Sequence, residues 1–228
     1  MENSLYKSKI YKYGFTLAEV LITLVIIGVV AALTISPLVN TYVERTTVAK
    51  VKKGLSILGQ AKKLAEAQNG SIEGWDFGGA VTAENASQFW NYLKPYISVA
   101  KDCGTATDCY RVDDEYQLNG IRHGQNHSAD SRYYKFVLAD GGVMFFRMNW
   151  SGTKCDAAAD LSVENVCAMF FYDVNGNKKP NTFGKDIFIY GMSIDGVYPA
   201  MDDDCNKNSH GFGCASYIIK NDNMNYLH

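Results

Sequence analysis

The sequence predicts an α+β fold, in which a long amino-terminal helix packs on a carboxy-terminal antiparallel β-sheet. Three observations favour this class. Residues 15–35 are almost entirely apolar, and apolar residues then recur at spacings of three and four up to residue 68, as in a helix. Beyond residue 130, runs rich in aromatic and β-branched residues alternate with turns rich in Gly, Asn and Asp. With 228 residues, of which 47% are apolar, the chain can bury the core of one domain or two small ones.

Charge and cysteine content narrow the classes of function. The 22 Lys and Arg against 24 Asp and Glu give a formal charge of −2, so composition offers no electrostatic case for a nucleic-acid partner. All six cysteines follow Ala100, and none belongs to a C-x-x-C pair. An even number of cysteines in a loop-rich half is typical of structural disulfides formed outside the cytoplasm, rather than of a zinc site.

The apolar run 15–35 is predicted to cross a membrane. As a helix rising ~1.5 Å per residue it spans ~30 Å, the thickness of the hydrocarbon core. Lys7, Lys9 and Lys12 precede it, which places the amino terminus in the cytoplasm and the rest on the exported side. No convincing signal-peptide cleavage site follows, so the span is expected to stay in the membrane. Glu19 is the one charge within the run, and a carboxylate in lipid requires a partner.

The junction before this run carries a specific motif. Residues 14–21 read G-F-T-L-A-E-V-L, which closely resembles the signature of type IV prepilins and type II secretion pseudopilins, and the similarity continues to Pro37, which falls one residue later than usual. The resemblance implies that a prepilin peptidase cuts after Gly14 and methylates the new terminal residue, Phe15. It also implies that Glu19 meets the terminal amine of a neighbouring subunit during assembly, so that two charges that are costly in lipid neutralise each other.

The resemblance divides the chain into three parts and gives its location. We expect a prepilin leader at 1–14, the transmembrane part of the helix at 15–37, and an exported pilin-like head, including the rest of the helix, at 38–228. The protein would pass once through the inner membrane, with a cytoplasmic amino terminus and a periplasmic or extracellular head.

The other elements follow in chain order. The first helix is predicted from Phe15 to Gln68, with a membrane helix broken from a second helix at Ser36 and Pro37 as the alternative. A further helix is predicted from Thr82, which can cap it, to Leu93, and a loop is predicted at 101–131. Two runs flank Asp140-Gly141-Gly142 as a hairpin. The predicted strands are 133–139, 143–150, 166–174, 186–192, 196–198 and 215–220.

The cysteines are expected to pair with their neighbours in sequence, because closing a short loop costs the least entropy. Six cysteines allow 15 connectivities, so other pairings stay open. The expected pairs are Cys103 with Cys109, Cys155 with Cys167, and Cys205 with Cys214.

One polar loop is a candidate site for a structural calcium ion, and the sequence predicts no other cofactor. Asp173, Asn175, Asn177 and Asp186 place short oxygen-bearing side chains around a tight turn. The segment resembles a loop of pseudopilin-like heads, some of which bind calcium there. It does not match an EF-hand, because Gly184 stands where the bidentate glutamate belongs. Side-chain turns alone would equally explain these residues as a rigid loop.

Two other groups of polar residues are interpreted as structural loops and not as metal or catalytic sites. His123 and His127 lie four residues apart, but Gly124 and Asn126 predict a loop, and no Cys or Glu stands close enough in sequence to complete a zinc site. The acidic run 202–204 is typical of a solvated loop. The sequence also lacks recognised catalytic motifs, so we expect no enzymatic activity.

The interpretation that fits best is a structural subunit, minor or specialised, of a type IV pilus or a type II secretion pseudopilus. Its partners would be the prepilin peptidase, other pilin or pseudopilin subunits, the assembly platform and membrane lipid. The alternative is a monomeric, membrane-tethered extracytoplasmic binding or adhesion protein. Glu19 distinguishes the two, because a plain anchor gains nothing from a buried carboxylate.

Overall fold

A computed structural model describes residues 14–107, 114–149, 154–155, 164–176, 178–201 and 205–228, without the side chains of Ser36 and Pro37. The chain separates into two compact units, residues 1–43 and residues 44–228. The described part of the first unit is entirely helical from Leu17 onward. The second unit holds the sheet and its helices.

The first helix, α1, runs as one element from Leu17–Asn69. The long helix predicted from the sequence is confirmed, and it continues through Pro37 instead of breaking there. Gly70 ends it with a positive φ of 78°, a conformation that glycine adopts without strain, and its N–H donates to the Glu66 carbonyl. Within the second unit, α1 buries an apolar face, as its spacing predicts: Val48, Val51, Leu58, Ala61 and Ala65.

Gly54 lies on this buried face of α1, and its lack of a side chain allows close packing on the sheet. A Cβ atom at Gly54 would lie 2.7 Å from Cδ1 of Tyr172 and 3.2 Å from the hydroxyl of Tyr190. Both tyrosines are fully buried. The Tyr190 hydroxyl donates to the Val51 carbonyl at 2.8 Å, which fixes the helix at this distance.

The second helix, α2, spans Ala83–Leu93, as predicted. Thr82 caps it, because its hydroxyl accepts a hydrogen bond from the N–H of Asn85 at 3.2 Å. Phe89, Trp90 and Leu93 form the buried face of α2. The helix passes into a tight turn at Lys94–Tyr96, where a proline prevents its continuation.

Six strands form one antiparallel sheet in which each strand pairs with its neighbours in sequence. The predicted hairpin is present between the strands Tyr134–Leu138 and Val143–Met148. The strands are β1 Val99–Gly104, β2 Tyr134–Leu138, β3 Val143–Met148, β4 Val166–Asp173, β5 Ile187–Ser193 and β6 Val197–Pro199.

The strands β2 to β5 are buried on both faces, which explains their continuous aromatic runs, whereas the edge strands β1 and β6 are partly exposed. Phe146 and Phe170 stack within the core that includes α1 and α2. Phe145 and Phe171 stack on the opposite face, where a second cluster includes Tyr133 and other side chains from the loops. Successive residues of a strand point to opposite faces, so neither face of β2 to β5 is left to solvent.

Two predicted elements are wrong. Residues 101–104 belong to β1 and not to a loop. Ala100, Lys101 and Asp102 of β1 are exposed in succession, so this strand lacks the alternation of buried and exposed residues that marks a strand in the sequence. The last predicted strand, 215–220, is instead a helix, α3, at Cys214–Asn221. Cys214, Ala215 and Ile218 are buried on one face of α3, a helical spacing that a short apolar run does not distinguish from a strand.

Candidate functional site

The junction between residues 14 and 19 is the first candidate site. Gly14, Phe15 and Thr16 precede the helix without regular structure, and Phe15 is 88% exposed. Among the described residues, no atom beyond its chain neighbours lies within 4 Å of the Cβ position at Gly14. The Gly14–Phe15 peptide bond is therefore open to a protease that must contact the backbone closely.

Thr16 and Glu19 form a reciprocal cap at the start of α1. The Glu19 carboxylate accepts hydrogen bonds from the Thr16 backbone N–H at 2.8 Å and from the Thr16 hydroxyl at 2.9 Å. The Thr16 hydroxyl in turn accepts from the Glu19 N–H at 3.2 Å. This is a capping box, so Glu19 has a local partner that the sequence interpretation did not assign to it. The pattern T-x-x-E was the signal that could have found it.

The helix after the cap exposes apolar side chains on all sides within the first unit. Its most apolar window has a mean hydropathy of 2.6, and none of that window is buried in the chain. By length and composition α1 can cross a membrane. Exposed residues include Leu17, Leu21, Ile22, Leu24, Val25, Ile26, Ile27, Val29, Val30, Leu33 and Ile35.

The loop between β4 and β5 brings three of the four predicted calcium ligands together, whereas Asn177 lies outside the described residues. The Asp186 carboxylate accepts hydrogen bonds from the N–H groups of Asn181 at 2.8 Å and Thr182 at 2.5 Å, and from the amide of Asn175 at 3.0 Å. Asp173 Oδ1 accepts from the N–H of Asn175 at 3.1 Å. The loop thus carries the side-chain turns expected of a rigid connection.

Among the described residues, two side-chain oxygens of this loop are buried without a hydrogen-bond partner: Asn175 Oδ1 and Asn181 Oδ1. The sequence prediction did not include Asn181 among the calcium ligands. Because the amide nitrogen of Asn175 faces the Asp186 carboxylate, reversing that amide would bring two oxygens together. Burial raises the pKa of Asp186 to about 6, although the three donors of the loop act to lower it. Buried oxygens that lack donors are what a bound cation would satisfy.

Two of the expected cysteine pairs are disulfides, Cys155 with Cys167 and Cys205 with Cys214. Cys103 is also disulfide-bonded. Its expected partner, Cys109, lies outside the described residues, as does the acidic run 202–204. The second bond joins the start of α3 to the preceding loop.

A third candidate site consists of Glu115, His123 and His127. The sequence analysis named the two histidines but not Glu115. The ligand atoms of Glu115, His123 and His127 lie within 4.8 Å of one another. Glu115 and His127 are buried, and one ring nitrogen of His127 contacts the Glu115 carboxylate. Burial lowers the pKa of His123, and the neighbouring His127 lowers it further. The expectation that no glutamate stands near the two histidines is wrong in three dimensions, because a chain reversal between 115 and 123 brings Glu115 beside them.

The exposed scissile bond, the capped apolar helix and the disulfide-bonded second unit together have the features of a membrane-anchored precursor. The family model described as the prokaryotic N-terminal methylation motif matches residues 11–35. This motif is the type IV prepilin and pseudopilin signature, so the resemblance found in the sequence is confirmed over that segment. No curated protein and no solved structure matches the chain.

The motif supports a type IV pilin or pseudopilin-like precursor. It implies processing by a prepilin peptidase and assembly with other pilins, and it belongs to a structural class of proteins and not to a catalytic one. The layout of a long apolar helix followed by an antiparallel sheet is that of a pilin-like protein.

Proposed function

We propose that this protein is a structural subunit, minor or specialised, of a type IV pilus or a type II secretion pseudopilus. Prepilin peptidase would cut after Gly14 and methylate Phe15, and the subunit would then join a filament through α1. Assembly would involve other pilin or pseudopilin subunits and the assembly platform in the inner membrane. The large disulfide-bonded unit at 44–228 favours a specialised subunit over a simple repeating one.

The observation that carries the proposal is the junction itself. An open Gly14–Phe15 bond lies directly before a helix whose apolar side chains find no partner within the described chain. Such a surface is stable only in lipid or against other apolar helices. The membrane would supply lipid around α1 before assembly, and a filament would supply the apolar helices of other subunits afterwards.

The cap at Thr16 suggests how the Glu19 carboxylate is positioned near the future amino terminus before cleavage. In the uncut chain Glu19 accepts from the Thr16 N–H, one residue from the nitrogen that cleavage would turn into an amine. The new charge on Phe15 would then appear at the end of the helix where the carboxylate already lies. Pairing with the amine of a neighbouring subunit would exchange a local partner for a stronger, charged one.

Intact-mass and amino-terminal analysis of the protein from its native membrane tests the processing step. We expect a chain that begins at N-methylated Phe15 and is lighter by the leader and by six hydrogens, because all six cysteines would be paired. A chain that retains Met1, or that begins beyond Ile35, would contradict the proposal. The membrane-tethered binding protein would then be the better explanation.

A pair of variants tests the assembly role of Glu19. Glu19→Ala removes the carboxylate and the cap together, whereas Thr16→Ala removes the hydroxyl side of the same cap and leaves the charge. We expect both to insert in the membrane, Glu19→Ala to give no filaments, and Thr16→Ala to assemble. Normal filaments from Glu19→Ala would refute the role of the charge. Equal loss in both variants would assign the effect to the helix cap.

A second proposal concerns the loop between β4 and β5, which we propose binds one structural Ca²⁺ ion. The buried, unpartnered oxygens of Asn175 and Asn181 support it, together with the nearby carboxylates of Asp173 and Asp186. Calcium takes carboxylate and amide oxygens as ligands, and the ion would neutralise a buried charge. The site would stiffen the connection between two central strands.

Calcium binding is measured through thermal stability. We expect Ca²⁺, but not Mg²⁺, to raise the melting temperature of the wild type, and Asn181→Gly to abolish this response. Glycine is the suitable replacement because Asn181 has a φ of 53°, which glycine accepts without strain. An unchanged melting temperature in the wild type, or an equal rise in the variant, would leave the loop as a purely structural connection.

A further inference from the structure

We propose that Glu115, His123 and His127 form a site for one divalent transition-metal ion, with Zn²⁺ as the best fit. Two imidazoles and a carboxylate are a donor set that zinc binds in proteins, with water completing a tetrahedral arrangement. The three donor atoms already lie within 4.8 Å of one another. Donors around a single zinc ion lie about 3.4 Å apart at bond lengths of about 2.1 Å. Small rotations of the side chains would close the remaining gap.

The backbone around the site is fixed by hydrogen bonds. The N–H of His123 donates to the Glu115 carbonyl at 2.7 Å, and Gln117 N–H donates to the Ile121 carbonyl at 2.8 Å. This pairing holds Glu115 and His123 side by side. Tyr116 in turn exchanges two backbone hydrogen bonds of 2.9 Å with Asn181 and Phe183, which fasten the segment to the loop before β5.

The ring of His127 is held from the other side by the sheet. It packs against Tyr133, Phe145 and Phe171, with ring centroids 4.9 to 5.4 Å away. Its backbone N–H donates to Glu115 Oε1 at 3.2 Å. Only His123 retains some exposure, so the scaffold is ordered before any ion arrives. Such preordering lowers the cost of binding, because few side chains must be immobilised.

A hydrogen-bonded pair of Glu115 and His127 would account for two of the three residues but not for His123. The His123 ring stacks on His127 with centroids 5.3 Å apart and an interplanar angle of 16°. A metal ion at this position would be attracted by all three donors. Binding would replace the direct contact between His127 Nδ1 and Glu115 Oε2 with a bond from each of these atoms to the ion.

The position of His123 at the surface gives the ion a path to the site. Glu115 and His127 are only 1% and 2% exposed, so they cannot be reached directly. His123 lies at the edge of the buried cluster, flanked by Phe183 and Phe212, and can bind an ion first and turn inward with it. The fourth ligand, a water molecule, would lie on this open side.

The test uses the full-length, oxidised chain in detergent, without a polyhistidine tag and with excess Ca²⁺ to fill oxygen sites. Zn²⁺ binding is followed by calorimetry, and Co²⁺ binding by its visible absorption, which reports a tetrahedral site. His123→Phe removes one ligand while keeping an aromatic ring against Phe183 and Phe212. His210→Phe is the matched control, because His210 stacks on Phe212 but lies outside the three-residue cluster.

We expect one Zn²⁺ per chain, a tetrahedral Co²⁺ spectrum, and a higher melting temperature with Zn²⁺ in the wild type and in His210→Phe. His123→Phe should keep its metal-free melting temperature but bind Zn²⁺ more than about tenfold more weakly. The absence of stoichiometric binding in the wild type would overturn the proposal, as would equal affinity in His123→Phe. If His123→Phe does not fold, His123→Gln replaces it with the same expected loss.

Discussion

The substitution Gly54→Ala should have two opposing effects on stability: a gain in helix preference and a loss from overpacking the core. Alanine favours a helix over glycine by up to about 1 kcal/mol. At Gly54, however, the new Cβ atom would lie 2.7 Å from Tyr172, far inside ordinary contact distance. The ring of Tyr172 is fully buried, and its other edge lies against Gly142, where an added Cβ atom would be 2.6 Å from Cε2 of the ring. Overfilling a packed core typically costs about 1–3 kcal/mol.

Gly59 provides a matched control on the same helix, because no atom lies within 4 Å of its Cβ position. Both substitutions gain the same helix preference, so the difference between Gly59→Ala and Gly54→Ala isolates the packing cost. We expect Gly59→Ala to be stabilised by up to about 1 kcal/mol and Gly54→Ala to be less stable than Gly59→Ala by about 1–3 kcal/mol.

Thermal unfolding of the full-length variants in detergent, followed by tryptophan fluorescence, measures this difference. Trp75 and Trp90 are buried in the same core and report its loss. One kcal/mol corresponds to about 2–4 °C in melting temperature for a unit of this size. If Gly54→Ala melts as high as Gly59→Ala, the close approach of α1 to the tyrosines is wrong.

Three further predictions concern buried charge and disulfides. Burial raises the pKa of Asp186 to about 6, so its carboxyl binds a proton more tightly in the folded state than in the unfolded state; relative to Asp186→Asn, the wild type should therefore lose about 2 kcal/mol of unfolding free energy as pH rises from 4 to 7, measured by urea unfolding with chelator, and a flat difference would contradict this. Lys62→Ala, which removes the buried ammonium group that donates to the Glu66 carboxylate and to the Ile194 carbonyl, should cost about 1–3 kcal/mol, whereas exposed Lys63→Ala should be near neutral; equal effects would refute a stabilising role of the Lys62 ammonium group. Replacing Cys205 and Cys214 together by Ala should cost about 2–3 kcal/mol of unfolding free energy, because a short loop is released; an unchanged value would show that the loop is already ordered without the bond.

The parts of the fold with a clear period were predictable from the sequence. The α1 boundaries fall within two residues of those expected. A long apolar run followed by apolar residues at spacings of three and four is typical of a helix and not of a strand. The β2–β3 hairpin was marked by glycines between two β-rich runs. Thr82 was predicted as a cap from its residue type and place alone.

The two elements that were predicted wrongly, β1 and α3, are those whose conformation depends on tertiary contacts. The strand β1 is exposed over Ala100–Asp102 and forms because β2 offers a free edge, which its own residues do not reveal. For α3, the disulfide of Cys214 and the burial of Ile218 select a helix where the short apolar run fits a strand as well.

Of the candidate sites, the junction is marked by its motif in the sequence, although the cap between Thr16 and Glu19 was missed, whereas the other two sites depend on tertiary contacts. Gly14, Phe15 and Glu19 belong to one contiguous motif, so their spacing carries the information. Glu115 reaches the two histidines only through a chain reversal, and the role of Asn181 depends on burial of its oxygen. Neither property can be obtained from residue order without the tertiary structure.

The neighbour-to-neighbour order of the sheet has a consequence for how this unit folds. Each strand finds its partner nearby in the chain, whereas Val51 and Tyr190, which join α1 to the sheet, lie 139 residues apart. Short loops close at lower entropic cost than long ones, so we expect the strands to pair first and α1 to dock last. Docking of residues 44–69 is then the step that seals the core. A protein on the exported side that bound residues 44–69 would therefore prevent the core from packing completely until it dissociated.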